Sequence, residues 1–329
     1  MLKKEDCIRI LIFMIIGLLV LIFSPFIGIK NFSLADLWKD EYRFIFFQIR
    51  IPRTLASFLG GGGLAIAGMV YQALFRNPLA SPYTLGVSGG ASLGAALCIF
   101  LGAGSNLPGF SLVSAGAFTG GVAAMAIVYM FAWSKESNST TLLLAGVIIT
   151  TVCSGFIMFI HQISSLDKAF QIMRWTIGGV DGTDYTSLMV MCGTLIVYII
   201  AIAFFLPHLD LFLTGDDIAH SRGINVARSR QILIVLTAFA VGGIVSTCGP
   251  IGFVGIIAPH VCRMIIPGTQ HRMLAFTSFI TGGVFLTISD VISRIIFPPT
   301  EIPVGIITAL CGGPFFLLLL IRRKKRLLM

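Results

Sequence analysis

Five histidines, seven cysteines and one short serine motif are the groups in this sequence that could support covalent or metal chemistry. The serine lies in Gly86-Val-Ser88-Gly89. A serine nucleophile needs a base within hydrogen-bond reach, and His161 or His260 could serve if a neighbouring helix carried either one close. His208, His220 and His271 complete the set, with no HExxH or paired metal-ligand spacing. Cys7, Cys98, Cys153, Cys192, Cys248, Cys262 and Cys311 form no CxxC and mostly lie inside apolar runs, so they read as reduced, buried, small hydrophobes. No Gly-Lys dipeptide occurs, which excludes a P-loop and leaves ATP to another chain.

Charge is scarce and unevenly placed. Arg50 and Arg53 are three apart, so they share a helix face. Arg294 follows Asp290 by four residues, a spacing at which the two can pair. Asp216 and Asp217 open the stretch Gly215–Arg230, where two acids suit a helix N-terminus and Gly223 can end a first short helix.

The elements that position these residues are apolar. The 329 residues are 56% hydrophobic and only 11% charged, with a mean hydropathy of +0.96. A soluble domain carries about 25% charged residues, so the bilayer is the solvent that this composition fits. The first apolar run exceeds the h-region of a signal peptide and has no small-residue cleavage site after it, so it reads as a retained span. Ten candidate spans follow: Ile8–Phe26, Thr54–Phe75, Leu85–Leu101, Ser111–Trp133, Leu142–His161, Leu188–Leu206, Ile232–Cys248, Ile251–Ile266, Met273–Ile296 and Val304–Ile321. Leu85–Leu101 is Gly-rich; Ile251–Ile266 is short, and Pro259 should kink or break it. Gly90 and Gly94, and Gly116 and Gly120, have the spacing that lets two helices approach closely. The expected fold is one all-α polytopic membrane unit over residues 1–329. A further short surface helix is expected from Ser33-Leu-Ala-Asp36.

Ten spans put both termini on one side. With those termini cytoplasmic, 15 of the 23 Lys and Arg residues fall inside and 8 outside. The net charge of +9 therefore reports topology rather than a nucleic-acid surface. The outer side is still unusually basic: Arg50, Arg53 and Arg294 all lie there.

Several runs together resemble the permease subunits of type II ABC importers, the family that moves iron–siderophore, haem and cobalamin. They are IRIPRTLASFLGGGGLAIAG (Ile49–Gly68), YQALFRNPLASPYTLGVSGGASLG (Tyr71–Gly94), LLLAGV (Leu142–Val147), GDDIAHSRGINVAR, GPIGFVGIIAPHVCRMI (Gly249–Ile265) and SDVISRIIFPPTEIPVGIITALCGGPFFLLLL (Ser289–Leu320). The resemblance covers essentially the whole chain after the first span. It implies ten spans, a homodimer or paired paralogue, two ABC ATPase subunits that use ATP and Mg, and a substrate-binding protein outside, in a bacterial or archaeal cell membrane. No cofactor is expected on this chain. The cytoplasmic helix fits the wider EAA-type coupling signature only loosely, through Asp217, Ala219 and Gly223. By the same resemblance, Asp216, Asp217, Ile218, Ala219 and Gly223 contact the ATPase. Asn77, Leu79, Ser139 and Thr140 constrict the pathway on the cytoplasmic side. Arg50, Arg53 and Arg294 receive acids of the binding protein, unless they are snorkelling anchors or Arg294 simply pairs with Asp290.

The expected cargo is an iron–siderophore, with cobalamin, haem or an oxyanion as alternatives. An ion-coupled secondary transporter would need ionisable residues deep within spans, for which Asp290 is the main candidate. The GxSG also fits rhomboid-type intramembrane proteases, but those have fewer spans and lack the two-acid cytoplasmic helix.

Overall fold

In lipid a run of about 20 apolar residues satisfies its backbone by closing into a helix, and each of the ten predicted spans does so. The structure, a computed structural model, describes residues 4–28, 33, 38–102, 111–132 and 139–327. The expected Ser33–Asp36 helix and Trp133 lie largely outside those residues. In chain order the helices are α1 (Lys4–Phe23), α2 (Asp40–Phe44), α3 (Ile51–Leu74), α4 (Val87–Phe100), α5 (Leu112–Ala132), α6 (Ser139–Ile163) and α7 (Leu166–Ile177). They continue with α8 (Tyr185–Phe212), α9 (Asp216–Ser221), α10 (Val226–Cys248), α11 (Val254–Ile265), α12 (His271–Ile295) and α13 (Val304–Leu327). Among the described residues there is no strand. Among the described residues seven helices are long and apolar enough to cross a membrane, and Val87–Phe100, Val254–Ile265 and Val304–Leu318 are shorter apolar helices.

The bundle is organised around α3, which is buried along nearly its whole length, whereas α1 lies on the periphery with its apolar side chains exposed. Glycine makes that centre possible. A Cβ added at Gly61 would lie 2.3 Å from the carbonyl oxygen of Gly282, and one at Gly68 would lie 1.7 Å from that of Gly255. The backbones of α12 and α11 therefore rest directly on α3. The two glycine pairs expected from spacing meet each other: a Cβ at Gly94 would stand 2.0 Å from Gly116 O, and one at Gly120 would stand 2.3 Å from Gly90 O. This seam joins α4 to α5.

Pro259 does not break its helix. It lies within α11, and the carbonyl it leaves without a donor, that of Gly255, accepts the Gln72 Nε2 amide at 3.3 Å. The other end of that amide, Gln72 Oε1, accepts Arg263. A side chain on α3 thus repairs the ladder of α11.

Several boundaries differ from the sequence reading, and α7 is additional. α8 runs to Phe212 rather than Leu206. α10 begins at Val226 rather than Ile232, capped by Asn225, whose side chain accepts the Arg228 N–H at 3.0 Å. α7 was not expected as an element. It has an acid in its first turn, Arg174 in its last and Gly178 at its end with φ +81°. After it, Asp184 caps α8 by accepting the Ser187 N–H at 2.9 Å; burial opposes ionisation there, but the hydrogen bonds to Ser187 hold the carboxyl below its ordinary range.

Candidate functional site

The sequence singled out four groups of residues, and the structure places the arginines at one end of α3 and the Asn77–Leu79 turn, with α9 tied to it, at the other. At the N-terminal end, Pro52 opens the helix and Arg53 points inward. Its Nε donates to Asp290 Oδ1 at 2.8 Å and its Nη1 to Glu301 Oε2 at 2.7 Å. Arg294 pairs with the second oxygen of Asp290 at 3.0 Å and donates to Ile27 O at 3.1 Å. Arg50 donates to Pro25 O at 2.9 Å. Arg50, Arg53 and Arg294 are 9%, 5% and 4% exposed, so none stands as a bare basic rim. The pairing of Arg294 with Asp290, the bland alternative read from spacing, is present. Asp290 itself is fully buried between two guanidinium groups. Glu301, which sequence reasoning did not single out, is the part of the cluster that solvent reaches.

At the C-terminal end of α3 the chain turns sharply. Asn77 Oδ1 accepts the Leu79 N–H at 2.9 Å, and Ala80 N–H returns to Asn77 O at 3.1 Å. Pro78 and Leu79 are exposed at the tip. Thr140 is exposed in the first turn of α6, which starts at Ser139. The segment 215–223 forms the short helix and turn that its acids and glycine suggested: α9 is followed by Gly223 at φ +82°. Asp217 and Ile218 face outward, whereas Ala219 is fully buried against this chain. Of the residues expected at the coupling surface, Asp217, Ile218 and Gly223 are exposed and Ala219 packs inward. Asp216 is spent within the chain, on Arg76 and, at 3.4 Å, on Arg230 of α10.

The fourth group, Ser88 with His161, borders a cavity of about 650 Å³ between α4, α6 and α7. Its lining includes Tyr83, Ser88, Ser92, Thr150, Ser154 and His161. Thr150 and Ser154 return their hydroxyls to α6 carbonyls at 2.8 Å, the usual way a hydroxyl is carried in a membrane helix. Ser88 and His161, the candidate protease pair, line the same space. Yet the Ser88 Oγ is buried with no hydrogen-bond partner among the described residues, so it forms no nucleophile–base contact here. Pro250 and α7 complete the wall, and Gly179 N–H donates to Cys248 O at 2.8 Å to hold them together.

Seven long and three shorter apolar helices among the described residues, packed into one bundle with charged clusters at both ends of α3, define a multi-pass membrane protein. Known structures agree. A transporter assigned to the metal-chelate ABC type, in an inward-facing conformation, superposes with a TM-score of 0.86 over 95% of this chain and 99% of that one, at 27% identity. PsaBC from Streptococcus pneumoniae shares the fold at a TM-score of 0.54 and 16% identity. The chain belongs to the FecCD transport family, whose profile matches residues 13–322. It is 34% identical to the hemin transport system permease protein HmuU of Yersinia pestis, over 95% of this chain and 96% of that protein. The vitamin B12 import system permease protein BtuC of Shigella boydii is 34% identical over 98% of both. An uncharacterised ABC transporter permease, YvrB of Bacillus subtilis, is 36% identical over 86% of this chain. The chain is thus a multi-pass inner-membrane permease of the ABC importer class.

Proposed function

We propose that this chain carries a metal chelate, an iron–siderophore in the first instance, through a pathway shared with a second permease subunit. Two separate ATPase subunits, which use ATP and Mg, sit against α9, and the permease itself binds no cofactor and hydrolyses nothing. Both termini face the cytoplasm, and residues 1–329 act as one transmembrane unit. A substrate-binding protein docks at the opposite end, where its acids compete with Glu301 for Arg53. Asn77 and Leu79, with Ser139 and Thr140, form the cytoplasmic constriction.

The observation that carries this reading is the helix α9, which sets Asp217 and Ile218 out on the surface beside the turn at Asn77. A self-contained transporter has no use for such a handle. The cavity, mostly apolar with hydroxyls of Tyr83, Ser88 and Ser92 among its lining, suits a chelate that arrives with its metal already wrapped. Haem and cobalamin are also metal chelates, and the relatives named for hemin and vitamin B12 keep both as alternatives.

The test is reconstitution in liposomes with the ATPase and binding protein encoded alongside. ATP-dependent accumulation of a ferric siderophore, in preference to haem and cobalamin, is the expected result. Accumulation driven by an ion gradient without the ATPase would overturn the reading in favour of a secondary transporter. Asp290, the residue such a transporter would use, is here committed to Arg53 and Arg294.

A further inference from the structure

The end of α3 is built on an unusual residue. Arg76 N–H returns to Ala73 O at 3.3 Å and Asn77 N–H to Gln72 O at 3.2 Å, the pair of bonds that closes a Schellman turn. Such a turn needs its central residue in the left-handed region, and Arg76 has φ +47°. Glycine takes that conformation without strain, whereas a side chain resists it. An arginine held there implies that its side chain has a use.

That use is visible. Arg76 Nε donates to the carbonyl oxygen of Phe212 at 2.9 Å, and Nη2 pairs with Asp216. Phe212 is the last residue of α8 and Asp216 the first of α9. Between them lie Leu213, Thr214 and Gly215, the last at φ +123°, a conformation closed to most side chains. One guanidinium therefore grips both sides of the α8–α9 joint. Asp216 extends the grip to Arg230 on α10. The backbone of Arg76, meanwhile, leads directly into the Asn77–Leu79 turn.

We propose that Arg76 is the positioning residue that makes α9 and the Asn77–Leu79 turn move as one piece. This rests on the importer reading, in which α9 is driven by the ATPase and the turn borders the pathway. A displacement of α9 is then delivered to the turn through the side chain of Arg76, rather than being absorbed at the Gly215 joint. The pair is half-exposed, so it adds little to folding. What it adds is a fixed geometry between two moving parts.

The experiment uses the complete reconstituted transporter and reads uptake per ATP hydrolysed. Arg76→Gly keeps the turn and removes the clasp. Its complex should assemble with the ATPase, keep its basal hydrolysis and melt no lower than wild type, while uptake per ATP falls about tenfold. Arg76→Lys keeps the charge facing Asp216 but loses the Nε bond to Phe212, and should recover part of the loss. A purely structural arginine would show the reverse pattern, with lowered melting and unchanged coupling, and that result would overturn the proposal. Should Arg76→Gly fail to fold, Asp216→Ala replaces it, since it removes the acceptor on α9, and uptake per ATP equal to wild type would be equally fatal. If wild type itself shows no ATP-dependent uptake, the importer reading falls and this inference falls with it, a failure recognisable because it precedes any substitution.

Discussion

The two ends of α3 hold the same kind of side chain and use it oppositely. Arg53 and Arg76 are 23 residues apart, roughly 35 Å along the helix at 1.5 Å per residue. Arg53 is buried and shares the fully buried Asp290 with Arg294. Arg76 is half-exposed, and so is its partner Asp216. In the dry end each charge must have its counterpart or the fold suffers. In the wet end water can stand in for either partner, so the pair is free to serve movement. Burial, more than residue type, decides whether an arginine stabilises or transmits.

The sharpest way to break this comparison is at Asp290. Asp290→Asn leaves two buried guanidinium groups sharing a neutral amide and should cost about 3–5 kcal/mol. Melting of the detergent-solubilised protein measures it. A loss no larger than that of a half-exposed pair would end the distinction drawn here.

Between the two ends, α3 is held by backbone contact. Gly282→Val would drive a side chain into the Gly61 carbonyl, 2.4 Å from where its Cβ would sit. Overpacking of this kind costs about 1–3 kcal/mol, and cysteine accessibility along α12 would report the displaced helix. Unchanged melting and accessibility would mean that the seam is looser than the contact implies.

A smaller effect belongs to Glu301, the solvent-reached member of the buried cluster. Glu301→Gln keeps an acceptor for Arg53, and Asp290 remains, so about 1 kcal/mol is expected from the same melting assay. The docking reading adds a second readout. Titration with the binding protein should show tighter association, because its acids no longer compete with Glu301.

The least effect on folding is expected at Asp216. Asp216→Ala should change stability by under about 1 kcal/mol, and by less still at high salt. Melting at two ionic strengths checks this, and a larger loss would place the wet end among the fold's supports.

Much of this was legible in the residues alone. The ten apolar runs announce the ten helices because lipid leaves a run of that kind little choice of structure. The Gly90–Gly94 and Gly116–Gly120 spacings announced a seam, and they form one. Arg294 and Asp290 announced each other at four residues. What stayed hidden was long-range. Arg53 meets Asp290 across 237 residues of chain, and no local pattern records that. Pro259 looked like a break because the donor that repairs its helix, Gln72, comes from another helix. Nor does any local pattern record that Ala219, alone among the residues of α9, packs fully inward. α7 was missed as a short element between long ones, although Ser165, Asp167 and Gly178 mark its start, first turn and end. The left-handed residue at Arg76 was hidden because that conformation is usually signalled by glycine.

The brevity of α4 and α11 has an electrical consequence. They have 14 and 12 residues, so their helical rise is about 21 and 18 Å, against a hydrocarbon core of about 30 Å. The remaining depth beside the cavity is made up by the non-α segments that hold Tyr83 and Pro250, and irregular backbone at that depth is tolerated where it is packed in protein or lines water. Where irregular backbone of this kind lines water, the water carries the surface potential inward and the transmembrane voltage falls across the apolar stretch that remains. Each elementary charge that crosses exchanges about 2.3 kcal/mol per 100 mV with that field. A neutral chelate would pass without feeling it, whereas an anionic one entering a negative cytoplasm would cross against it.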